Sequence, residues 1–340
     1  LPDLVVAGGG PVGLAAALYA ARAGLEVVVR EPRTGPVDKA CGEGLMPGAV
    51  RDLLALGVDP EGQDIRGIRY LDAGHAVEAP FTASTGRGVR RTTLHAALSR
   101  AVAAAGIEVE HRPVTSVVQH ADHVVVDGVV ARHLIAADGL HSPLRRRLGL
   151  EGRAAHRRRF GLRAHVGLAP WTPYVEVHWS PGAEAYVTPV APDLVGVAVL
   201  AAPGADFDEV LAGLPVLAER LRGHDRGRVR GAGPLRQRSR RRTAGRVLLV
   251  GDAAGYVDAL TGEGIALGLA QARAAVEACR HDDPARYERA WRRIGRRHDL
   301  LTRGLLAASG VPAVRSRIVP AAAALPAVFG GVVNALARPA

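Results

Sequence analysis

The segment Gly8-Gly9-Gly10-Pro11-Val12-Gly13 is the tightest constraint on what this chain can fold into. It follows the apolar run Leu4-Val5-Val6 and precedes residues 11–23, which have helical spacing and small side chains. Leu25–Val29 is a second apolar run, so the chain opens as a βαβ unit. The loop fits G-x-G-x-x-G. Gly8 permits the tight turn, Gly10 lets the backbone approach a pyrophosphate, and Gly13 lets helix and strand pack closely. The helix that begins at Pro11 and Val12 offers unpaired N–H groups and partial positive charge to phosphates. Glu31 ends the second strand near the spacing expected for a carboxylate that accepts hydrogen bonds from ribose hydroxyls. This motif predicts dinucleotide binding and does not separate FAD from NAD.

Further along, residues 33–48 are rich in Gly and Pro and read as an irregular loop carrying Cys41-Gly42-Glu43-Gly44-Leu45. A short helix is expected over 47–56, with Pro47 at its start. Ile65–Tyr70 and Ala76–Pro80 read as paired strands of a second sheet. A helix over Thr92–Ala105 and a strand at Ile107–Glu110 return to the first pattern, and Val114–Val118 with His123–Val126 resembles a hairpin. Residues 133–137 form a buried strand that ends at Asp138-Gly139. Between about 158 and 232 the stretches Val175–Trp179, Ala185–Val190 and Val195–Leu200 give an antiparallel signature. Arg246–Val250 is again a buried strand, followed by a helix over 264–280. The expected organisation is therefore a discontinuous nucleotide domain (1–64, 91–157 and 236–305). A substrate domain (65–90 and 158–235) is inserted in it, and a helical tail (306–340) follows.

Two later motifs choose the cofactor. Gly251 lets its strand turn, and Asp252 at the strand's carboxyl end is suited to a ribityl hydroxyl. In Thr261-Gly262-Glu263-Gly264-Ile265, Gly262 and Gly264 open a second helix N-terminus, suited to negative charge developing on a flavin. Each of these, taken alone, is equally a capped helix and a glycine turn.

Together the motifs resemble the para-hydroxybenzoate hydroxylase and geranylgeranyl reductase superfamily of flavoproteins. The match lies in the glycine loop, in Asp138-Gly139-Leu140-His141-Ser142-Pro143-Leu144-Arg145, which fits D-G-x-x-S-x-x-R, and in Gly251-Asp252. Arg91, heading a helix, falls where that superfamily places an arginine near the flavin and its phosphates. The resemblance implies an α/β protein. Its core is a Rossmann-type, glutathione reductase-like FAD domain carrying a mainly antiparallel inserted sheet. It also implies non-covalent FAD, and NAD(P)H as a transient electron donor without a domain of its own. It associates Asp138 with FAD and the donor, and Arg145 with phosphate.

Within the superfamily, Lys39-Ala40-Cys41-Gly42-Glu43-Gly44-Leu45 resembles the K-x-C-G-x-G-L loop of the reductases, and 261–265 resembles their T-G-E-G-I. That points to hydride transfer to a C=C bond of an apolar unsaturated metabolite, with Cys41 and Glu263 as candidate catalytic residues. Hydride addition leaves a carbon that needs a proton, which a thiol can supply. A buried structural Cys is the plain alternative. Cys41, Gly42, Tyr186 and Pro189 are candidate pocket residues. Tyr186-Val187-Thr188-Pro189 lacks the Trp, Phe and Lys of the reductases' Y-x-W-x-F-P-K, which argues against a long isoprenoid substrate. The alternative chemistry is a monooxygenase acting on an aromatic or polyketide substrate with NAD(P)H and oxygen. A remoter one is a non-catalytic basic binding protein using residues 236–242.

Composition narrows the remainder. The formal charge is +11, and every basic residue but Lys39 is arginine. Heavy arginine usage is first of all the mark of a GC-rich genome, and its functional reading is a surface that attracts anionic ligands such as nucleotide phosphates. With 4% aromatic residues, stacking platforms are scarce and no nucleic-acid partner is expected. Cys41 and Cys279 make no disulfide framework, which fits a cytoplasmic protein, and no signal segment is expected before the first strand. His120 and His123 lack Cys partners, and no metal site is expected. Prolines at 312, 320 and 326 break the tail into short helices. Its plain reading is packing on the FAD domain, and its sharper one is a lid or a weak membrane-surface contact for a lipophilic substrate.

Overall fold

The computed structural model describes residues 1–153, 159–259 and 262–337. Thr261 of the fourth motif lies outside the described residues, as does Arg338 of the tail. The first sheet has six strands in the order Thr243–Ala244, Val247–Leu249, His133–Ala136, Leu4–Ala7, Val27–Arg30, Glu108–Glu110. All pairs are parallel except the first. Val5 pairs with both Val28 and Leu134. The strand order turns back on either side of Leu4–Ala7, and such a switch point opens a crevice at the strands' carboxyl ends. Helices Pro11–Arg22, Arg91–Ala104 and Gly264–Arg280 cover one face through Leu14, Leu98 and Leu269. The three-stranded ribbon 117–131 covers the other through Val124 and Val126. Burial on both faces accounts for the unbroken apolar runs.

The second sheet has seven strands, in the order Arg230–Ala232, Phe160–Val166, Leu194–Ala201, Glu184–Ala191, Tyr174–Trp179, Gly67–Leu71, Ala76–Pro80. It is antiparallel apart from the Tyr174–Trp179 and Gly67–Leu71 pair. The expected strand at 65–70 is in fact two: Gln63–Ile65 pairs with Gly86–Gly88 in a small third sheet, and Gly67–Leu71 joins the large one. The break falls at Arg66, whose N–H is taken by Pro173 O at 2.7 Å. The two faces of Glu184–Ala191 have different fates. Ala185 and Val187 pack on Phe207 and Leu217 of two short helices. Tyr186 packs on the opposite face, with Tyr70, Trp179 and Leu235.

After Gly264–Arg280 comes a 26-residue helix, Pro284–Ser309, which runs through position 305. Three short helices follow: Pro312–Arg315, Ile318–Ala324 and Pro326–Ala337. These pack on the FAD-domain segments, where Val319 clusters with Leu140 and Tyr256 and Arg297 donates to Ala335 O at 3.2 Å, and also on the inserted sheet. Phe329 and Val333 bury against Val77 and Ala79 of the edge strand. Asn334 accepts from the Thr82 N–H at 2.9 Å and donates to Pro80 O at 2.9 Å. An edge strand with unpaired backbone groups and apolar alternate positions is a ready docking surface. Among the described residues no single helix is long and apolar enough to cross a membrane.

Candidate active site

The crevice is shaped by what its glycines leave out. A Cβ on Gly8, at φ +109°, would lie 2.5 Å from Ala137 O, and one on Gly13 would lie 1.9 Å from Gly8 O. Both positions are closed to any side chain. Gly10 differs, since a Cβ there would meet nothing within 4 Å, and this is open space in front of the helix. Helix Pro11–Arg22 has no side-chain cap and no acidic residue in its first turn. Its first N–H groups therefore face that space unneutralised. The Glu31 carboxylate accepts from the Gly9 N–H at 2.8 Å and from Arg33 Nε at 2.7 Å. Burial pushes its carboxyl up, but these bonds outweigh burial and hold it below its ordinary value.

Asp138 Oδ2 accepts from the Leu144 N–H at 3.0 Å, while Oδ1 is buried without a partner among the described residues. Burial pushes this carboxyl above its ordinary value, against the hydrogen bonds from Ser142 and Leu144. Gly139 has a φ of +83°. Arg91 gives its backbone N–H to Glu43 Oε1 at 2.9 Å and keeps a buried, unpartnered Nε. Asp252 lies 3.5 Å from Lys39 Nζ, and Gly251, at φ +60°, gives its N–H to Gln271 Oε1. An open phosphate-sized approach at Gly10, an uncapped helix end, an orphan acceptor on Asp138 and an orphan donor on Arg91 suit a polar dinucleotide such as FAD.

Arg145 corrects the expectation of a phosphate contact. It is fully buried and donates to Leu140 O at 2.9 Å, Ala253 O at 3.1 Å and Gln237 Oε1 at 3.0 Å. Its planar fork clamps the second motif to the third from within. The motif spacing shows which residue is present; it does not show that the side chain turns inward.

The Cys41 loop lies where the two sheets meet. Gly42 O accepts from Thr188 Oγ1 at 2.8 Å, on the strand that carries Tyr186 and Pro189. Gly88 comes so near that a Cβ there would lie 1.6 Å from Pro189 O. Cys41 is half-buried, and its Sγ accepts from the Glu43 N–H at 3.4 Å. Cys279 is buried, and burial pushes its thiol up to about 12, which leaves it inert. Glu43, at φ +60°, is the residue that sequence reasoning passed over. Besides Arg91, it takes His165 Nε2 at 2.7 Å, so it fastens the loop to the helix Arg91–Ala104 and to the second sheet. Its left-handed backbone and burial were not visible in the K-x-C-G-x-G-L pattern.

Gly262 has a φ of +69°, and Gly264 and Ile265 begin the helix Gly264–Arg280, with Glu263 at its N-cap. Glu263 does not face open space. It accepts from His298 Nδ1 at 2.8 Å, with its other oxygen buried and unpartnered among the described residues, and burial raises its carboxyl against that hydrogen bond. His298 belongs to the long helix. No apolar period marks it, since the buried positions of that helix are Tyr287, Gly295, His298 and Thr302.

Beside the Cys41 loop lies an aromatic surface. Tyr70 stands 5.6 Å from Trp179 and 4.7 Å from Phe329 of the tail. Tyr186 and Tyr256 belong to the same cluster, and burial pushes both hydroxyls well above their ordinary value. The aromatic residues missing from 186–191 are thus supplied by three other parts of the chain. Arg315 closes the cluster, reaching Glu184 at 2.8 Å and lying over Trp179 at 5.3 Å.

Residues 2–202 match the FAD binding domain family. The chain belongs to that family. It is similar to the menaquinone reductase of Mycobacterium tuberculosis, at 33% identity over 323 residues covering 84% of this chain and 78% of the relative. It is also similar to digeranylgeranylglycerophospholipid reductase 1 of Methanopyrus kandleri, at 30% identity over 343 residues and 85% of each chain. Its fold is that of a flavoprotein/dehydrogenase from Cytophaga hutchinsonii, with a TM-score of 0.86, 18% identity, and 98% and 92% of the two chains covered. The protein is an FAD-dependent oxidoreductase. The superfamily indicated by the motifs is the right one, and reductases are among its relatives.

Proposed function

We propose that this flavoenzyme reduces a C=C bond of an apolar, unsaturated metabolite, with NAD(P)H as the source of electrons. The observation that carries this reading is the hydrogen bond from Thr188 to Gly42. It holds the Cys41 loop against the strand whose Tyr186 faces the aromatic cluster. The names of the two reductase relatives support the same class.

When bound, FAD supplies the hydride. The chain's own residues do the rest. Gly8, Gly10, Gly13 and the helix N-terminus at Pro11 and Val12 would hold the pyrophosphate, and Glu31 the adenosine ribose. Asp252 and Lys39 would hold the ribityl chain, Asp138 and Arg91 would support the cofactor's polar parts, and Gly262, Gly264 and Ile265 would hold the flavin. Cys41 holds a proton at Sγ for the carbon that receives no hydride. Glu263, bonded to His298, sets the entry of the helix Gly264–Arg280. Tyr186 and Pro189 form part of the apolar wall, and water is kept out by Trp179, Phe329 and Tyr70.

The tail adds a route for a lipophilic substrate. Val311, Val314, Leu325, Val328 and Val332 are exposed along it, in the same segment as Arg317. An apolar ridge with basic neighbours suits weak contact with an anionic membrane surface, approached from the cytoplasm. Liposome flotation tests this, and absence of the protein from the lipid fraction ends it.

The test of the reaction is anaerobic. Enzyme reduced by NADPH or NADH is mixed with menaquinone or with a geranylgeranylated lipid. Flavin reoxidation together with a product heavier by one H2 is expected. Reoxidation by oxygen alone, with oxygen incorporated in the product, would instead mark a monooxygenase and sink the reading.

A further inference from the structure

A cleft of about 220 Å³ opens off the crevice and shares Gly251, Asp252 and Gly264 with it. It is bounded by the segment 236–242, by the turn at Gly251–Gly255 and by the facing sides of helices Gly264–Arg280 and Pro284–Ser309. The long helix presents Trp291, Gly295, Asp299 and Arg303 to it, at helical spacing. Arg236, Arg238 and Arg242 line it from the other side.

The cleft is rich in donors and short of acceptors. Arg242 lies over the Trp291 ring at 3.5 Å, and both Arg242 Nε and Trp291 Nε1 are buried without an acceptor among the described residues. Arg236 is half-buried, and among the described residues no acceptor takes its guanidinium. Burial, together with the charges of Arg238 and Arg303, lowers its pKa, and only Asp258 eases it. Asp258 already accepts from Arg159 at 3.3 Å. The two aspartates in the lining are also engaged, Asp299 with Arg303 at 3.1 Å and Asp252 with Lys39 at 3.5 Å. Crowding like charges in a partly desolvated groove is costly, and the cost is recovered when an anion enters.

We propose that this cleft is a binding site for a phosphate or diphosphate group, held by Arg236, Arg238 and Arg303. The group is carried by the reduced dinucleotide donor or by the headgroup of the substrate. Naming these two carriers rests on the reductase reading; the anion site itself does not.

The experiment uses the FAD-loaded enzyme and inorganic pyrophosphate, followed by calorimetry and thermal unfolding. Wild type is expected to bind pyrophosphate and gain Tm on binding. The double variant Arg236→Gln with Arg303→Gln is expected to bind it about tenfold or more weakly. The Arg303–Asp299 pair is exposed and worth little, so the variant folds. Without pyrophosphate, Arg236→Gln alone is expected to raise Tm, since it relieves like-charge crowding. Equal binding by wild type and variant overturns the proposal, as does no binding at roughly 1 mM pyrophosphate. Loss of FAD from the variant also overturns it, by assigning the arginines to the cofactor. Two further arms identify the carrier. Pyrophosphate competing with NADPH in anaerobic flavin reduction points to the donor, and competition with a polyprenyl diphosphate in product formation points to the substrate. Calorimetry needs no turnover, so failure of the reductase reading and failure of the anion site are separate results.

Discussion

The two large sheets solve different problems. In the six-stranded sheet the site is made by backbone: Gly8, Gly13 and Gly251 stand where any side chain would strike the next segment or strain the turn. In the seven-stranded sheet the site is made by side chains, and these arrive from far apart. Tyr70, Trp179, Tyr186 and Phe329 meet across a span of 259 positions, from 70 to 329. A backbone site tolerates almost no substitution, whereas a side-chain wall can be repacked.

This contrast is sharpest at Gly13. Gly13→Val is expected to give protein that retains no flavin after gel filtration, because its side chain has no place beside Gly8 O. Gly10→Ala is expected to leave apoprotein stability unchanged and to weaken FAD alone. Equal damage from the two would break the distinction. Next in size is Arg145→Ala, which strips a buried donor from three acceptors and is expected to cost roughly 4 kcal/mol in denaturant unfolding. On the other sheet, Phe329→Ala is expected to cost about 3 kcal/mol and to loosen the tail, seen as faster hydrogen exchange at 326–337, with FAD binding retained.

Acid should tell the two regions apart less sharply. Glu31 in the crevice and Asp38 near the second sheet are both held below their ordinary values of 4.5 and 3.8. For each, burial pushes the carboxyl up and arginine outweighs it: Arg33 for Glu31, Arg163 and Arg230 for Asp38. Their stabilisation is complete above those ordinary values and is lost as pH falls through the depressed folded ones. Tm is expected to hold down to about pH 5 and to drop below it, with a shallower drop in Glu31→Gln. The smallest stability effect is that of Cys41→Ser, expected within about 0.5 kcal/mol of wild type. Product formation should nevertheless fall while flavin reduction by NAD(P)H proceeds as before. An unchanged product rate removes Cys41 from the chemistry.

The same contrast governs what was legible in the amino-acid order. The glycine loop, Asp138 and Asp252 each sit within a few residues of their structural partners or at a strand end, so local pattern reaches them. Arg145 was legible as a type and misread as a direction. The long helix was hidden because its buried positions include Gly295, His298 and Thr302, which carry no apolar period. Glu263's partner His298 lies 35 residues away, and the tail's place on the edge strand depends on contacts across 252 and 254 residues. Such pairings follow from packing, and no window of sequence contains them.

The central strand Leu4–Ala7 pairs with Val27–Arg30 and His133–Ala136, and the latter with Val247–Leu249. On a ribosome making about 5–20 residues per second, the first strand emerges about 12–50 seconds before the last of these. Arg145 adds to the delay, since its acceptor Ala253 O comes later still. The glycine loop is the earliest part of the cofactor site to be made, and it must wait for most of the chain before it can close around a ligand. Flavin capture in this architecture is therefore a late event of synthesis, and a nascent chain halted before residue 250 should leave the ribosome colourless.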